Sequence, residues 1–299
     1  MSKTALLKNM IYGGIIGDMI GSIYEWKPCL KDKVKTFRLW YGNPFSYKEG
    51  QPGEGSQFTD DTVCLLAILK ALITTKNGSD EDLEDAMICE LQDFCPNYEW
   101  TGFGSAFWIW VSGRKYIPHM TDKPMPYNSY GNGSAMRVAG AALIADSLLE
   151  ARHLAKVSAR ITHDHPEGIK GAESVASAMF LAREGKTKEE IREYISSEFG
   201  YDLNRKLDDI RPKYQFDVSC QGSVPESILC FLEGNSYEEC VRLAVSLGGD
   251  ADTMGCIAGS IAACMYPIPK SMILQAYLRL DKRLRKIVKE WEQYAVLNH

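Results

Sequence analysis

Residues 58–78 read FTDDTVCLLAILKALITTKNG, and this segment is the clearest indication of the fold class. Within it, Val63, Leu66 and Ala67 recur at the three- and four-residue spacing of one face of an α-helix. A threonine followed by two aspartates is typical of a helix start, because a hydroxyl oxygen caps free amides and acids favour the positive helix end. The Asn-Gly pair that closes the segment predicts a stop. We therefore expect one helix over residues 60–76.

Helix signals continue in both directions from this segment. Ser79 is expected to cap the next helix, and Thr187 and Ser236 each precede a glutamate by three residues, the pattern of a capping box. The alternation that marks strands is nearly absent. The sequence therefore predicts an all-α fold, with one compact multi-helix domain spanning residues 1–299. Other helices are expected over residues 133–147, 151–161, 167–184 and about 270–294. One more is expected to have Pro225 as an early residue. Residues 26–58 and 95–131 are expected to be long loops.

Composition narrows the class of protein. The chain has 299 residues, of which 45% are hydrophobic and 24% charged, and this excludes a mostly disordered or collagen-like chain. No apolar window is long enough for a membrane-spanning helix. The net charge of −5 argues against a general binder of nucleic acids or anionic membranes, and the basic residues 279–286 fit a solvated helix face. Nine cysteines without a CxxC pair indicate free thiols in a reducing compartment, so we expect a cytoplasmic protein.

Three acidic clusters lie at predicted helix boundaries. They comprise Asp18 with Glu25, the pair Asp60-Asp61 after a threonine, and residues 248–253, which read GGDADT. Each cluster alone fits ordinary helix capping. Together, in apolar surroundings where unpaired carboxylates would be costly, they favour a hard-cation site for Mg²⁺ or Mn²⁺ rather than Zn²⁺. Two clusters from distant parts of the chain would suit two ions about 3.5–4 Å apart.

A glycine-rich turn supplies the second functional feature. Residues 129–134 read SYGNGS and lead directly into a predicted helix. Glycines expose backbone amides, and a helix start favours a phosphate, although a plain loop explains the same residues.

The ordered set of motifs resembles the ADP-ribosylglycohydrolases, which include the dinitrogenase reductase-activating glycohydrolase and the ADP-ribosyl-acceptor hydrolases. The resemblance covers nearly the whole chain. It is carried by GGIIGD at 13–18 with Gly21 and Glu25, FTDDT at 58–62, GNGSAMR at 131–137, Thr162-His163, and SLGGDADT at 246–253.

The resemblance implies an all-α fold around a central dinuclear metal site holding two Mg²⁺, with Mn²⁺ as the alternative. Glu25 matches a glutamate on a mobile family loop, here residues 26–58, and its role as ligand, gate or acid/base is left open. The implied catalytic carboxylates are Glu25, Asp60, Asp250 and Asp252. The implied metal ligands are Thr59, Asp60, Asp61, Asp250, Asp252 and Thr253.

The turn matches the family loop that holds the diphosphate and distal ribose of ADP-ribose. Tyr130 is an aromatic candidate for stacking on adenine. His163 matches a residue near the phosphates, and spacing alone does not separate it from His165. The implied substrate-binding residues are Ser129, Tyr130, Gly131, Asn132, Gly133, Ser134 and His163.

The function implied is a metal-dependent hydrolase that cleaves the N- or O-glycosidic bond between ADP-ribose and an acceptor, with an ADP-ribosylated protein as the favoured partner. A small ADP-ribosyl metabolite is the alternative substrate. The non-enzymatic alternatives are a crystallin-like relative without catalysis and a protein that binds ADP-ribose without cleaving it. All six implied metal ligands and Glu25 are present in the sequence, which favours turnover. The acceptor linkage and the oligomeric state are not encoded in these motifs.

Overall fold

Helices make up almost all regular structure in the residues that the computed structural model describes, 3–25 and 56–298. Within these two ranges there is no strand, and Gly131 and Ser219 form an isolated β-bridge. The prediction of an all-α fold is therefore confirmed. The helices are α1 (Lys3–Met10), α2 (Tyr12–Gly21), α3 (Asp60–Thr75), α4 (Asp80–Phe94), α5 (Ser105–Val111), α6 (Gly133–Met136), α7 (Ala139–Ile144), α8 (Leu148–Arg160), α9 (Pro166–Arg183), α10 (Lys188–Phe199), α11 (Leu207–Ile210), α12 (Cys220–Glu233), α13 (Tyr237–Leu247), α14 (Ala251–Met265), α15 (Lys270–Arg279) and α16 (Lys282–Asn298).

Helices with strong local caps begin where the sequence predicts. Thr59 caps α3, and its hydroxyl accepts a hydrogen bond from the amide of Asp61 at 3.4 Å. Complete capping boxes begin α4 at Ser79 and α10 at Thr187. Ser236 caps α13, but the box predicted there is not closed, because the Glu239 carboxylate accepts from the amide of residue 235 instead.

Two long predicted helices are each broken into two. Residues 133–147 form α6 and α7, which are separated at Arg137, whose buried guanidinium donates to the backbone of α8. Residues 270–294 form α15 and α16. Asp281 ends the first and caps the second, since its carboxylate accepts from the amides of Arg283 and Leu284 at 2.8 and 2.9 Å. The basic segment is therefore not one continuous helix face.

Two further boundaries differ from the sequence-based expectation. α12 begins at Cys220, five residues before Pro225, so the proline lies inside the helix at the cost of one ladder hydrogen bond. The predicted loop 95–131 contains a 3₁₀ segment, Cys95–Thr101, and helix α5.

The antiparallel contact between α2 and α14 is made by small residues. A Cβ atom built on Gly17 would lie 2.0 Å from the carbonyl oxygen of Gly255, and one built on Gly13 would lie 2.4 Å from that of Gly259. Near the C-terminal end of α2, a Cβ on Gly21 would lie 2.2 Å from the carbonyl oxygen of Ala251. Only glycine permits these approaches, so the i, i+4 glycine spacing fixes how the two helices pack.

The helices pack around one hydrophobic core, in which Trp291, Phe231 and Tyr237 are among the largest fully buried side chains. Eight described cysteines are free thiols, seven of them buried, which fits the expectation of no disulfide framework; Cys29 lies outside the described residues. None of the described helices combines the length and apolar character that crossing a bilayer requires.

Candidate active site

The site lies where the C-terminal end of α2 meets the N-terminal ends of α3 and α14. Asp18 is fully buried on α2, and its carboxylate accepts from the amides of Thr59 at 3.0 Å and Thr62 at 3.1 Å. It also accepts from both threonine hydroxyls, at 2.7 Å from Thr59. Asp18 thus caps α3 from 41 residues away and holds the neighbouring Asp60-Asp61 pair against α2.

Carboxylates from the three helix ends converge into one acidic cluster. Carboxylate oxygens of Asp18, Asp61 and Asp252 lie within 4.8 Å of one another, and so do those of Glu25, Asp250 and Asp252. Asp252 belongs to both groups and joins them.

Burial and mutual repulsion disfavour the ionised form of these carboxylates. Burial raises the pKa of Asp18 to about 6, with hydrogen bonds from Thr62 and Thr59 opposing the shift. For Asp61, burial and then the charges of Asp18 and Asp60 raise the pKa well above its usual range. Burial followed by the charge of Asp250 does the same to Asp252.

The donor set fits hard divalent cations. The Oδ1 atom of Asp61 is buried without a hydrogen-bond partner. In the described ranges no lysine or arginine forms an ion pair with Asp18, Asp60, Asp61, Asp250 or Asp252. Buried carboxylates without a counter-charge, accompanied by the hydroxyls of Thr59 and Thr253, are the oxygen ligands that Mg²⁺ and Mn²⁺ prefer.

The acidic cluster forms one wall of a cavity of about 420 Å³. The glycine-rich turn and His163 also line this cavity. Phe107 and Tyr127 add aromatic surface, and Phe216 and Val218 lie toward its exposed rim. A cavity with one acidic wall and one apolar and glycine-rich wall suits a ligand that is partly polar and partly aromatic.

The turn is tied directly to the acidic cluster. Asn132 donates through its side-chain amide to the Asp250 carboxylate at 2.6 Å and to the Ser223 hydroxyl at 3.1 Å. Its backbone amide donates to the carbonyl of Val218 at 2.8 Å. Hydrogen bonds of Asn132 therefore link the glycine-rich turn to the carboxylates.

The structure brings most of the sequence-predicted residues to this cavity. Glu25, Asp60, Asp61, Asp250, Asp252 and Thr253 line it, together with Ser129, Gly131, Asn132, Gly133 and His163. Thr59 lies directly beneath Asp61, with its hydroxyl 3.3 Å from that carboxylate. Residues 26–55 of the predicted mobile loop lie outside the described residues.

Three predicted positions are placed away from the cavity wall. The Ser134 hydroxyl is buried and donates to the carbonyl of Gly168 at 2.7 Å, which is a contact between helices. Tyr130 is 52% exposed and packs edge-on against His165 at 5.4 Å. His165 caps α9 through Nδ1, which accepts from the amide of Glu167. Of the two histidines, His163 is the one that lines the cavity.

Sequence reasoning did not select several residues that the site contains. Asp18 was recognisable as part of an acidic cluster, but its capping of α3 depends on a tertiary contact. Arg137 stands at the end of the GNGSAMR motif, whereas Tyr127 and Phe216 carry no local signal that separates them from other loop aromatics.

Comparisons with known proteins identify the family. A sequence model described as ADP-ribosylglycohydrolase matches residues 3–296. Human ADP-ribosylhydrolase ARH3 is 28% identical over 316 aligned residues, which cover 87% of this chain and 85% of that protein. ADP-ribosylarginine hydrolase Tri1 of Pseudomonas putida is 22% identical over 273 residues, covering 87% of this chain and 70% of that protein.

A solved structure agrees in fold. A chain described as an ADP-ribosylglycohydrolase-related protein complex matches with a TM-score of 0.70 and 22% identity, covering 98% of this chain and 99% of that chain.

Proposed function

The chain belongs to the ADP-ribosylglycohydrolase family, and on this premise we propose that it is a metal-dependent hydrolase that releases ADP-ribose from an ADP-ribosylated protein side chain. Family membership makes it an enzyme that hydrolyses ADP-ribosyl linkages. The requirement for a divalent cation and the choice of a protein side chain as acceptor are what we propose beyond family membership.

The observation that carries the proposal is the direct contact between the two halves of the site. The Asn132 amide in the glycine-rich turn lies 2.6 Å from the Asp250 carboxylate. A dinucleotide-like ligand that places its phosphates on the turn therefore has its sugar within reach of the acidic cluster. This proximity supports cleavage of a glycosidic bond next to a bound diphosphate.

Two Mg²⁺ or Mn²⁺ ions fit the acidic cluster, with Thr59, Asp60, Asp61, Asp250, Asp252 and Thr253 as the residues that would hold them. When bound, such ions neutralise the carboxylates, orient sugar hydroxyls and lower the pKa of a bound water. This assignment rests on the orphaned Oδ1 of Asp61 and on the absence of any lysine or arginine ion pair to the aspartates within residues 3–25 and 56–298.

The protein groups then have distinct roles. Glu25 is half-buried at the cavity and lies within 4.8 Å of Asp250 and Asp252, where it can accept a proton from the attacking water. The turn Gly131–Gly133 and His163 orient the phosphates. Phe107 and Tyr127 exclude water from the apolar side of the cavity. The glycosidic bond breaks through an oxocarbenium-like state, and the water oxygen forms the new bond to the anomeric carbon. The proton that Glu25 takes from this water is returned to the departing acceptor, so one water is consumed and the carboxylate is regenerated.

The names of the two relatives suggest which acceptors to test. One is named an ADP-ribosylhydrolase and the other an ADP-ribosylarginine hydrolase. The test is release of free ADP-ribose from two matched peptides, one arginine-linked and one serine-linked, each with Mg²⁺, with Mn²⁺ and with EDTA. We expect EDTA-sensitive release from one of the two peptides.

Asp250→Asn is the site variant in this assay, and Asp208→Asn, an exposed aspartate on α11, is the matched control. Asp250→Asn should lose turnover and keep its helical circular dichroism, whereas Asp208→Asn should retain both. Full activity of Asp250→Asn, or activity that survives EDTA, contradicts the metal site. Release from a small ADP-ribosyl metabolite but from neither peptide would overturn the choice of a protein acceptor.

A further inference from the structure

Arg137 is a buried cation beside the cavity without an acidic partner. It is 1% exposed, and its guanidinium donates to the Ser158 carbonyl at 2.6 Å and to the Thr162 hydroxyl at 2.7 Å. No carboxylate in residues 3–25 and 56–298 pairs with it. A buried guanidinium can only donate, so it dictates the orientation of any hydroxyl that it contacts.

The Thr162 hydroxyl, which Arg137 orients, contacts the ring of His163. Its oxygen lies 2.7 Å from Nδ1 of the His163 ring. The Arg137 guanidinium donates to the same oxygen, and the Thr162 side chain is fully buried. Among the described residues, Nδ1 is the acceptor that lies within hydrogen-bond distance of this hydroxyl, and a buried hydroxyl proton without an acceptor is costly, so the hydroxyl donates to Nδ1.

The other ring nitrogen of His163 faces the ligand-binding turn. A Cβ atom built on Gly133 would lie 3.1 Å from Nε2, and one built on Gly131 would lie 3.6 Å from it. Among the described residues Nε2 has no hydrogen-bond partner. It is therefore free to contact whatever occupies the space above the turn.

We propose that Arg137 and Thr162 are positioning residues that fix His163 in its Nε2–H tautomer, so that a neutral imidazole donates a hydrogen bond to an anionic oxygen of the ligand. Burial and then the charge of Arg137 hold the pKa of His163 well below its usual range, which agrees with a neutral ring at neutral pH. The identity of that oxygen as a phosphate oxygen of ADP-ribose rests on the proposed function, whereas the tautomer does not.

Nitrogen-15 NMR of the full-length protein reads the tautomer directly. Uniformly labelled protein is compared with His163→Gln to assign the ring. We expect a pyrrole-type shift at Nε2 and a pyridine-type shift at Nδ1. The reverse assignment, or an imidazolium spectrum at pH 7.5, overturns the proposal.

Thr162→Val and Thr162→Ser separate positioning from packing. Thr162→Val removes the hydroxyl but keeps the shape, and we expect a mixed tautomer and ADP-ribose binding weakened by about tenfold, measured by calorimetry with Mg²⁺. Thr162→Ser should restore both, and Thr74→Val on the exposed side of α3 is the matched control. An unchanged tautomer and affinity in Thr162→Val would refute the role. If the wild-type protein shows the expected tautomer but does not bind ADP-ribose, the proposed function fails and the positioning of His163 stands.

Discussion

Replacing Asp61 by asparagine is expected to stabilise the metal-free protein while abolishing its response to Mg²⁺. The carboxylate oxygens of Asp18, Asp61 and Asp252 lie within 4.8 Å of one another. Two unit charges at that distance repel by about 3.5 kcal/mol at an effective dielectric constant of about 20. The raised pKa values mean that protonation already relieves part of this cost. We therefore expect a gain of about 1–2 kcal/mol at pH 8, or about 2–8 °C in Tm.

The assay is differential scanning calorimetry at pH 8 in EDTA and again in excess Mg²⁺. For the wild-type protein, an ion at 100 times its Kd adds about 2.7 kcal/mol to the free energy of unfolding. Asp61→Asn should begin at a higher Tm in EDTA and gain little from Mg²⁺, because one ligand charge is missing.

A buried aspartate with partners is the matched control. Asp85 lies 2.7 Å from the Lys123 ammonium and accepts from the Tyr116 hydroxyl at 2.9 Å. Asp85→Asn should therefore lower Tm in EDTA and leave the Mg²⁺ response intact. If Asp61→Asn also lowers Tm in EDTA, or if it responds to Mg²⁺ as the wild type does, the cluster is not a repulsive cation site.

Three further outcomes are expected. Gly17→Ala places a Cβ 2.0 Å from a backbone oxygen of α14 and should lower the free energy of unfolding by at least about 3 kcal/mol, measured by chemical denaturation. Gly104→Ala, whose Cβ would have no atom within 4 Å, should be tolerated, and equal effects of the two variants would contradict the tight helix contact. Asn132→Leu should weaken Mg²⁺ binding about 10–100-fold by calorimetry, because it removes the hydrogen bond to Asp250, and unchanged affinity would exclude that orienting role. The pKa of Asp18 is raised to about 6 in the folded protein, compared with its ordinary value of 3.8, so its contribution to stability is complete below pH 4 and is lost as the pH rises through about 6. Tm in EDTA should therefore fall across that pH range by an amount equivalent to about 3 kcal/mol, and a rise in Tm would contradict the argument.

Local signals in the sequence were sufficient for the helices whose ends are capped by near neighbours. The caps at Ser79 and Thr187 use residues three positions away, so they are visible in the sequence alone. The break at Arg137 was not, because its cause is a guanidinium that reaches the backbone of α8. At Asp281 a local cap was present in the sequence, but the surrounding basic residues made it resemble a solvated helix face.

The candidate site follows the same division. The sequence motifs predicted that Asp60-Asp61 and residues 250–253 lie at helix starts, which they do at α3 and α14, and both segments line the cavity. The distance between the halves could not be predicted, since it depends on how α2 packs against α14. The choice between His163 and His165 also required the structure, because only the fold shows that His163 lines the cavity and His165 caps α9.

The glycine contact between α2 and α14 explains why folding and site assembly are one process. Gly17 immediately precedes Asp18, and its partner Gly255 lies three residues after Asp252. The backbone approach that glycine permits is therefore what brings the two carboxylates into range of each other. We expect a larger residue at position 17 to separate the helices and relieve the repulsion, and also to disrupt the proposed cation site. Very close backbone packing thus lies beside unfavourable electrostatics, which is the arrangement expected if the proposed cation contributes to the stability of the active form.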